Sequence, residues 1–263
     1  MLVVADAKFV ALGAVFVYMT LWWLVATALK RNDLADVAWG LGFPAVGLAE
    51  IAATWGRVPP VLVLLTALTA VWGVRLAWHI GARRRGTPED FRYAQWRTEW
   101  GRTVVWRSYL QVFLLQGVFM LMISSPIIVA AAAPPGPLGV LPWLGAAVWL
   151  AGVLIEAVAD AQLAAFKRDS ANKGHIMDRG LWNWSRHPNY FGESLLWWGV
   201  WIGCLGAPWG WIAVVGPVTI TFLLLKVSGV PLLEKHYEGN AAYQEYARRT
   251  SIFVPLPPKK AAL

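Results

Sequence analysis

Cysteine and charged residues are scarce in this chain. Its 263 residues contain one cysteine, Cys204, so no internal disulfide can form and the fold must depend on packing. Charged residues make up 14% of the chain, whereas soluble domains carry roughly 25%. This shortage excludes an ordinary soluble enzyme. Together with 58% hydrophobic residues, it predicts an integral, multi-pass membrane protein.

Sequence signatures of several soluble enzymes are also missing. The chain has no G-x-G-x-x-G turn, no G-x-x-x-x-G-K-[ST] loop, no H-E-x-x-H and no G-x-S-x-G. Any nucleotide should therefore bind between helices rather than on a Rossmann sheet. His175, His187 and His236 have no cysteine or carboxylate partners at metal-binding spacing, so we expect no metal site.

Seven stretches are apolar and long enough to cross the hydrocarbon core of a membrane, which takes about 20 helical residues. Turn-forming segments rich in proline and glycine separate several of them. We therefore predict an all-α fold, a polytopic membrane protein of about seven transmembrane helices, at 7–29, 34–55, 58–82, 105–131, 138–166, 189–206 and 208–230. The fifth stretch is longer than a bilayer requires. No internal repeat or low-complexity linker divides the chain, so we treat 1–263 as one transmembrane domain.

The basic residues indicate an orientation. The loops after the first, third and fifth stretches and the C-terminal tail hold 20 of the 23 Lys and Arg residues. The positive-inside rule then places the N-terminus outside and the C-terminus in the cytosol. Such a face also suits anionic membrane lipids, and its charges alternate with spans, so we expect no nucleic acid partner. Loops 83–107 and 167–186 carry more positive charge than is needed to orient the protein in the membrane. This surplus favours a polyanionic ligand on the cytosolic side.

Several ionisable residues lie within or beside the predicted spans, where charge is costly and usually marks a ligand or a reaction. Asp33 follows a turn and is expected to cap the next helix, whereas Asp36 lies deeper. Arg75 lies at mid-span and should pair with a carboxylate such as Asp36. Glu156 and Asp160 are four residues apart on one helical face, so they should meet polar ligand groups or cations.

The densest cluster opens the sixth predicted span. The segment Arg186-His187-Pro188-Asn189-Tyr190-Phe191-Gly192-Glu193 holds a cation, an imidazole, an amide, a phenol and a carboxylate within eight residues. Asp178-Arg179-Gly180-Leu181-Trp182 precedes it. Trp197 shares a helical face with Glu193 and could line the binding site of a flat substrate, although packing is the more common role of such a side chain. This concentration of chemistry indicates a binding or reaction site rather than an anchor.

With a tail of the form Glu234-x-x-Tyr237 … Tyr243-x-x-Tyr246 … Phe253-x-Pro255, this segment resembles the steroid 5α-reductase family. It is more closely similar to a bacterial branch of uncharacterised membrane proteins that share the C-terminal domain of that family. The resemblance extends from about Glu156 to Pro255. It implies a multi-span helical oxidoreductase that uses NADPH to reduce an activated carbon–carbon double bond, typically the 4-ene of a 3-oxo steroid.

The resemblance also implies residue roles. It assigns catalysis to Asp36, Arg75 and Glu193, with a protonated Asp36 polarising the substrate ketone. The family's substrate-polarising tyrosine falls at Trp72, which cannot act as an acid, and Glu156 replaces an asparagine. Cofactor binding is assigned to a larger set that surrounds one pocket: Asp160, Lys167, Arg168, Arg179, Arg186, His187, Asn189, Tyr190, Trp197, His236 and Tyr237.

In this interpretation, helices within 1–135 lie on the substrate side and 136–263 form the cofactor-binding reductase core. The apolar, steroid-like substrate would enter laterally from lipid, and no obligate protein partner is implied. The membrane would be a bacterial inner membrane or the endoplasmic reticulum.

Two alternatives stay open. Isoprenylcysteine and phospholipid methyltransferases carry a similar R-H-P-x-Y-x-G segment and bind S-adenosylmethionine in a comparable pocket. That cofactor has no phosphate, so the surplus of basic residues favours NADPH, as does Asn189 directly after Pro188 with Glu193 four residues on. A transporter or sensor is the second alternative. Transporters often show two related halves with ionisable groups near the bilayer midplane, and no such repeat is visible here.

Overall fold

The structure is a computed structural model that describes residues 2–84 and 86–259, with side chains from residue 8 onward. Arg85 and Lys260, two of the basic residues counted above, lie outside the described residues. Within the described part the secondary structure is helical and contains no β-strand. The predicted all-α fold class is therefore confirmed.

Twelve α-helices form within these residues. In chain order they are α1 Leu2–Leu29, α2 Leu34–Ala53, α3 Pro60–Arg84, α4 Phe91–Trp100, α5 Val104–Ser108, α6 Leu115–Ile123, α7 Ser125–Ala130, α8 Val140–Arg168, α9 Pro188–Cys204, α10 Val215–Phe222, α11 Val230–His236 and α12 Ala241–Arg249. Two further stretches are π-helical, Tyr109–Leu114 and Leu223–Val227. Short 3₁₀ turns occur at Gly101–Thr103, Ser170–Asn172, Gly180–Asn183 and Gly210–Val214.

Six helical segments among the described residues are long and apolar enough to cross a membrane, so the chain is an integral, multi-pass membrane protein. They are Lys8–Leu29, Leu34–Ala53, Pro60–Arg84, Phe91–Ile123, Val140–Arg168 and Gly210–His236. The predicted span 189–206 corresponds to α9. That helix has 17 residues, and at 1.5 Å per residue it is about 26 Å long, short of the roughly 30 Å hydrocarbon core. Six spans are therefore supported, and the seventh and the orientation of the termini stay predictions.

The fourth span is not one uniform helix. Gly101 adopts a left-handed backbone conformation, with φ of 48°, and α4 ends there because glycine has no Cβ to oppose it. Further on, the chain is π-helical at Tyr109–Leu114, and Pro126 in the first turn of α7 accompanies the break after α6. The span is thus assembled from short helices.

By contrast, α8 is continuous over 29 residues. At 1.5 Å per residue it is about 43 Å long, which exceeds the hydrocarbon thickness as the sequence predicted. Glu156, in the second half of this helix, is buried with 3% of its surface exposed. Its carboxyl group therefore needs polar interaction partners inside the protein.

The helices divide into two compact units. The first comprises Met1–Trp143 with Val200–Gly216, and the second comprises Leu144–Gly199 with Pro217–Leu263. Val200–Gly216 thus groups with the N-terminal helices. The expected division at 135/136 into substrate-side helices and a cofactor-binding core stays a prediction.

The core of the first unit lies where α2 meets α3. A Cβ added to Gly40 would lie 2.7 Å from the carbonyl oxygen of Gly73, so the two backbones touch and neither position admits a side chain. Phe43 and Trp72 are fully buried beside this contact, with ring centroids 5.7 Å apart. The position that resembles the family's tyrosine is therefore occupied by an indole that packs in the core.

Candidate functional site

In the second unit, α8 and α9 touch backbone to backbone. A Cβ added to Gly192 would lie 2.6 Å from the amide nitrogen of Glu156 and 2.6 Å from the carbonyl oxygen of Gly152. A Cβ on Gly199 would lie 2.5 Å from the amide nitrogen of Trp149. Small residues permit this approach, and in a membrane the close packing itself drives association. We call this contact the glycine seam.

The glycine seam aligns the polar residues of the two helices. The side-chain nitrogen of Asn189 donates to Oδ1 of Asp160 across 3.3 Å. Glu193 follows Asn189 by one turn of α9, and Glu156 precedes Asp160 by one turn of α8. Each of these glutamates therefore lies on the face of its helix that carries the Asn189–Asp160 contact. Two predicted cofactor residues, Asp160 and Asn189, are thus in direct contact, with a predicted catalytic residue close in sequence.

The segment before α9 is fixed from two directions. Trp182 donates its indole N–H to the carbonyl of Ala159 on α8 at 3.0 Å, and its own carbonyl accepts from the hydroxyl of Tyr246. The hydroxyl of Ser185 donates to the carbonyl of Phe253 at 2.7 Å. The C-terminal tail therefore packs around this segment and holds it against α8, which explains why the tail pattern and the cluster occur together in the sequence.

Glu234, on α11, is the centre of the tail contacts. Its Oε2 accepts from Arg186 at 2.6 Å. Its Oε1 accepts from the hydroxyl of Tyr243 at 2.7 Å and lies 3.1 Å from Nε2 of His187. One carboxylate thus binds both the guanidinium and the imidazole of the predicted cluster, and the charge of Arg186 is compensated within the protein.

The ring of His187 is almost enclosed, with 2% of its side chain exposed. Burial lowers the pKa of His187 below its usual value, although the hydrogen bond and charge of Glu234 oppose this. Burial thus favours the neutral form of the imidazole, and Tyr190 stacks on the ring with centroids 5.6 Å apart. Nδ1 of His187 is buried and has no hydrogen-bond partner among the described residues. An unsatisfied buried acceptor costs about 1–3 kcal/mol.

Three of the predicted cofactor cations lie at the surface of the unit. Lys167, Arg168 and Arg179 are exposed, at the end of α8 and in the segment that follows it. Cations at a helix C-terminus also interact favourably with the helix dipole. Their exposure nevertheless leaves them accessible to an anionic ligand in solution.

His236 is exposed, and Tyr237 stacks on Tyr243 with ring centroids 4.5 Å apart. A cavity of about 360 Å³ opens beside them, lined by Glu234, Lys235, Tyr237, Glu238, Tyr243, Gln244 and Ala247. Tyr237 thus borders a cavity, as a cofactor contact would require, and His236 packs edge-on against the Tyr237 ring with centroids 5.1 Å apart. Trp197 is fully buried, which favours the packing role.

Ionised side chains also cluster in the first unit, between the start of α2, the end of α3 and the loop before α4. Arg84 contacts three carboxylates, those of Asp33 at 2.9 Å, Asp36 at 2.7 Å and Asp90 at 3.2 Å. Arg92 adds a second guanidinium 3.2 Å from Asp36. We call this group the arginine–aspartate network, and it ties three consecutive elements together.

The network determines what Asp36 can do. Oδ1 of Asp36 accepts the phenol hydrogen of Tyr93 at 2.6 Å, and Oδ2 accepts from Arg84 and Arg92. Both oxygens are therefore acceptors in this structure, and the geometry favours a structural role for the carboxylate. Its predicted role as a proton donor to a substrate ketone stays a prediction. Arg75, the other predicted catalytic residue of this unit, is half-buried on α3.

Asp33 differs from the expectation of a plain helix cap. It occupies the N-cap position of α2, but its side chain makes no capping hydrogen bond to that helix. The carboxylate instead contacts Arg31 at 2.8 Å and accepts from the backbone N–H of Asp90 at 3.2 Å. The Asp33 carboxylate therefore bonds to groups outside α2 instead of capping that helix.

The network should make the first unit sensitive to acid. Burial alone would raise the pKa of Asp33, and likewise that of Asp90, but hydrogen bonds and charge from Arg31, Arg92 and Arg84 hold both pKa values below their usual range. A lowered pKa in the folded state contributes stability above the unfolded value, about 3.9. That stability is lost as pH falls through the folded value.

We therefore expect the melting temperature in detergent to be level from pH 7 to about 5 and to fall below about pH 4. The double variant Asp33→Asn/Asp90→Asn should be less stable at pH 7 and should lose less on acidification. Thermal unfolding followed by circular dichroism measures both quantities. An equal acid-induced loss in the variant would contradict this account of the two carboxylates.

The contacts also reveal residues that the sequence analysis did not single out. Arg84, Arg92 and Tyr93 surround Asp36, and Glu234 and Tyr243 hold the cluster before α9. Glu234 and Tyr243 belong to the tail pattern quoted above, so a signal for them existed. No group of three or more His, Cys, Asp or Glu residues that could hold a metal occurs in the part of the chain that the structure describes.

Comparisons with known proteins place the chain in a broader context. The family model described as "Protein of unknown function (DUF1295)" matches residues 22–250. The chain is also 23% identical over 207 residues to "Uncharacterized protein C594.04c" of Schizosaccharomyces pombe. That match covers 62% of this chain and 59% of the yeast protein, so the chain spans less than two thirds of the length of this relative. No solved structure matches the chain at a significant level.

Proposed function

We propose that this chain, which belongs to the DUF1295 family, is a membrane reductase that uses NADPH to reduce an activated carbon–carbon double bond in an apolar substrate. The observation that carries the proposal is the contact between Asp160 and Asn189, which the glycine seam holds at 3.3 Å. An amide and a carboxylate fixed side by side can orient a planar ligand that has both donors and acceptors, such as a carboxamide. The sequence resemblance to steroid 5α-reductases supports the same cofactor.

The donor set of the second unit fits a dinucleotide phosphate. Lys167 follows Asp160 by seven residues on α8, which corresponds to about 10 Å along the helix. A ligand that contacts both must therefore combine a polar head with an anionic part about 10 Å away. Lys167, Arg168 and Arg179 are exposed to solvent, and their positive charges suit phosphate groups. S-adenosylmethionine, the cofactor of the alternative function, carries no phosphate that would use these cations.

When bound, NADPH supplies a hydride to one carbon of the double bond, and the other carbon takes up a proton. The chain itself needs no nucleophile for this reaction, and its task is to hold two planar groups face to face away from water. Asn189 and Asp160 would orient the cofactor, and Glu193, one turn further along α9, is proposed to act on the same ligand. The sequence resemblance also assigns a catalytic role to Asp36 and Arg75, which belong to the first unit.

The proposed substrate is apolar, with a 3-oxo-4-ene steroid as the model compound. Six apolar spans give the protein a large lipid-facing surface, so such a molecule can arrive from the bilayer. The basic loops are proposed to face the cytosol, where NADPH is available, with seven spans and the N-terminus outside.

Titration of the detergent-purified protein with NADPH, NADH and S-adenosylmethionine tests the proposal, because the 18 tryptophans report binding by fluorescence. We expect quenching with energy transfer to the nicotinamide, tightest for NADPH. Binding of S-adenosylmethionine without any response to NADPH would reject the proposal in favour of a methyltransferase. A positive result justifies assaying 3-oxo-4-ene steroids by loss of NADPH absorbance.

Two variants refine the test. Asn189→Ala should weaken NADPH binding about tenfold or more, because it removes the amide next to Asp160. Arg179→Gln should weaken NADPH more than NADH if its guanidinium meets the additional phosphate. Arg248→Gln is the matched control, since Arg248 is exposed on α12 and pairs only locally with Glu245. Equal affinities in all three variants would contradict the assigned site.

A further inference from the structure

The contact between Glu234 and His187 determines which nitrogen of the imidazole carries the proton. The Glu234 side chain is 27% exposed, so its carboxylate is reached by solvent, and an ionised carboxylate can only accept hydrogen bonds. Nε2 of His187 lies 3.1 Å from Oε1 of this carboxylate. The hydrogen bond therefore requires hydrogen on Nε2. In a neutral ring the other nitrogen, Nδ1, then carries a lone pair.

That lone pair lies on an atom that is enclosed by the protein. Nδ1 is buried and accepts no hydrogen bond from the described residues. Buried polar atoms in native proteins normally have partners, so each exception needs an explanation. His187 is followed by Pro188 and Asn189, so its ring lies two residues from the amide that we assign to the cofactor. An acceptor at this depth is well shielded from water, which strengthens any hydrogen bond made to it.

We propose that Glu234 is a positioning residue that holds His187 as the Nε2–H tautomer and thereby presents Nδ1 as a hydrogen-bond acceptor for the bound cofactor. The donor would be the carboxamide NH₂ or a ribose hydroxyl of NADPH, so this half of the inference rests on the proposed function. The other half, the tautomer, is a property of the ligand-free protein. Arg186 and Tyr243 also donate to the Glu234 carboxylate and fix its orientation.

Two substitutions of His187 test the roles of its two ring nitrogens separately. In His187→Gln the side-chain NH₂ can replace Nε2 and donate to Glu234, but nothing replaces Nδ1. In His187→Asn the shorter side chain places its carbonyl oxygen near Nδ1, and the contact with Glu234 is lost. A purely structural histidine would make His187→Gln the milder change in every measurement.

NADPH affinity and thermal stability are measured together for the wild type and both variants. We expect His187→Gln to keep the wild-type melting temperature and to bind NADPH about tenfold more weakly. His187→Asn should melt at a lower temperature and bind NADPH within about threefold of the wild type. Wild-type affinity in His187→Gln, or equal losses of affinity in the two variants, would overturn the acceptor role of Nδ1. Absence of NADPH binding by the wild type would instead overturn the proposed function.

The tautomer is measured without any cofactor. The chain has four histidines, so ¹⁵N-histidine labelling gives a simple spectrum in which His187→Gln identifies the signals of His187. We expect a protonated Nε2 and an unprotonated Nδ1. Glu234→Ala should abolish this preference, and Glu234→Gln should preserve it because the amide oxygen still accepts. A protonated Nδ1 in the wild type would overturn the inference whatever cofactor the protein binds.

Discussion

Replacing Arg84 with glutamine should lower the stability of the folded protein by about 2–4 kcal/mol, because one guanidinium binds three carboxylates. Removal of one partner from a fully buried ion pair costs about 3–5 kcal/mol. We expect somewhat less here, since Asp36 and Asp90 are each about one fifth exposed and solvent screens part of the charge. Asp33, with 1% of its side chain exposed, keeps Arg31 but loses the second cation.

The melting temperature should fall by on the order of 10 °C, measured in detergent at pH 7 and moderate salt. Arg83→Gln is the matched control, because Arg83 is the preceding residue of the same helix and is exposed. We expect Arg83→Gln to shift the melting temperature by less than about 2 °C. If both variants melt at the same temperature, the arginine–aspartate network does not stabilise the first unit. Arg83 and Arg84 would then serve only to orient the protein in the membrane.

The second large effect concerns the glycine seam. Gly192→Val should cost about 3 kcal/mol or more, because the new Cβ would lie 2.6 Å from backbone atoms of α8, which cannot move aside as a flexible side chain would. The helices must separate, and the hydrogen bond between Asn189 and Asp160 would lengthen with them. We therefore expect loss of NADPH binding together with loss of stability.

Gly81→Val provides the comparison, since a Cβ on Gly81 meets no atom within 4 Å in this helical position. It should fold and bind NADPH as the wild type does. Gly192→Ala should show an intermediate stability in the same assays. Retention of wild-type stability and NADPH affinity by Gly192→Val would show that α8 and α9 can separate without consequence for the site.

The residue types near Arg186 could be recognised from the sequence, but their partners could not. Ionisable groups beside an apolar helix attract attention because they are costly in lipid. The carboxylate that binds Arg186 and His187 lies 48 residues from Arg186, and only the folded tail brings it there. Hydrophobic pattern predicts where helices lie, and it contains little information about which side chains meet across them.

Arg84 illustrates a different difficulty. In the sequence it is one of several basic residues that set orientation, and a residue that only follows the positive-inside rule looks the same as one that forms three ion pairs. Likewise Asp33 has the position of a helix cap and the contacts of an ion pair. The bounds of α9 were predicted within two residues, whereas its length of 17 residues leaves it below the usual span.

The contacts of the C-terminal tail affect the order in which the second unit can be completed during synthesis. Ser185 is held by Phe253, which is made 68 residues later, and the backbone N–H of Arg186 donates to the carbonyl of Ser251 at 2.8 Å. At about 5–20 residues per second, the ribosome takes about 3–14 s to reach Phe253, and the segment before α9 lacks these partners for that time. A nascent chain that stops before Phe253 would thus enter the membrane without the tail contacts that hold the segment around Arg186. Quality-control proteases would then encounter this segment unpacked.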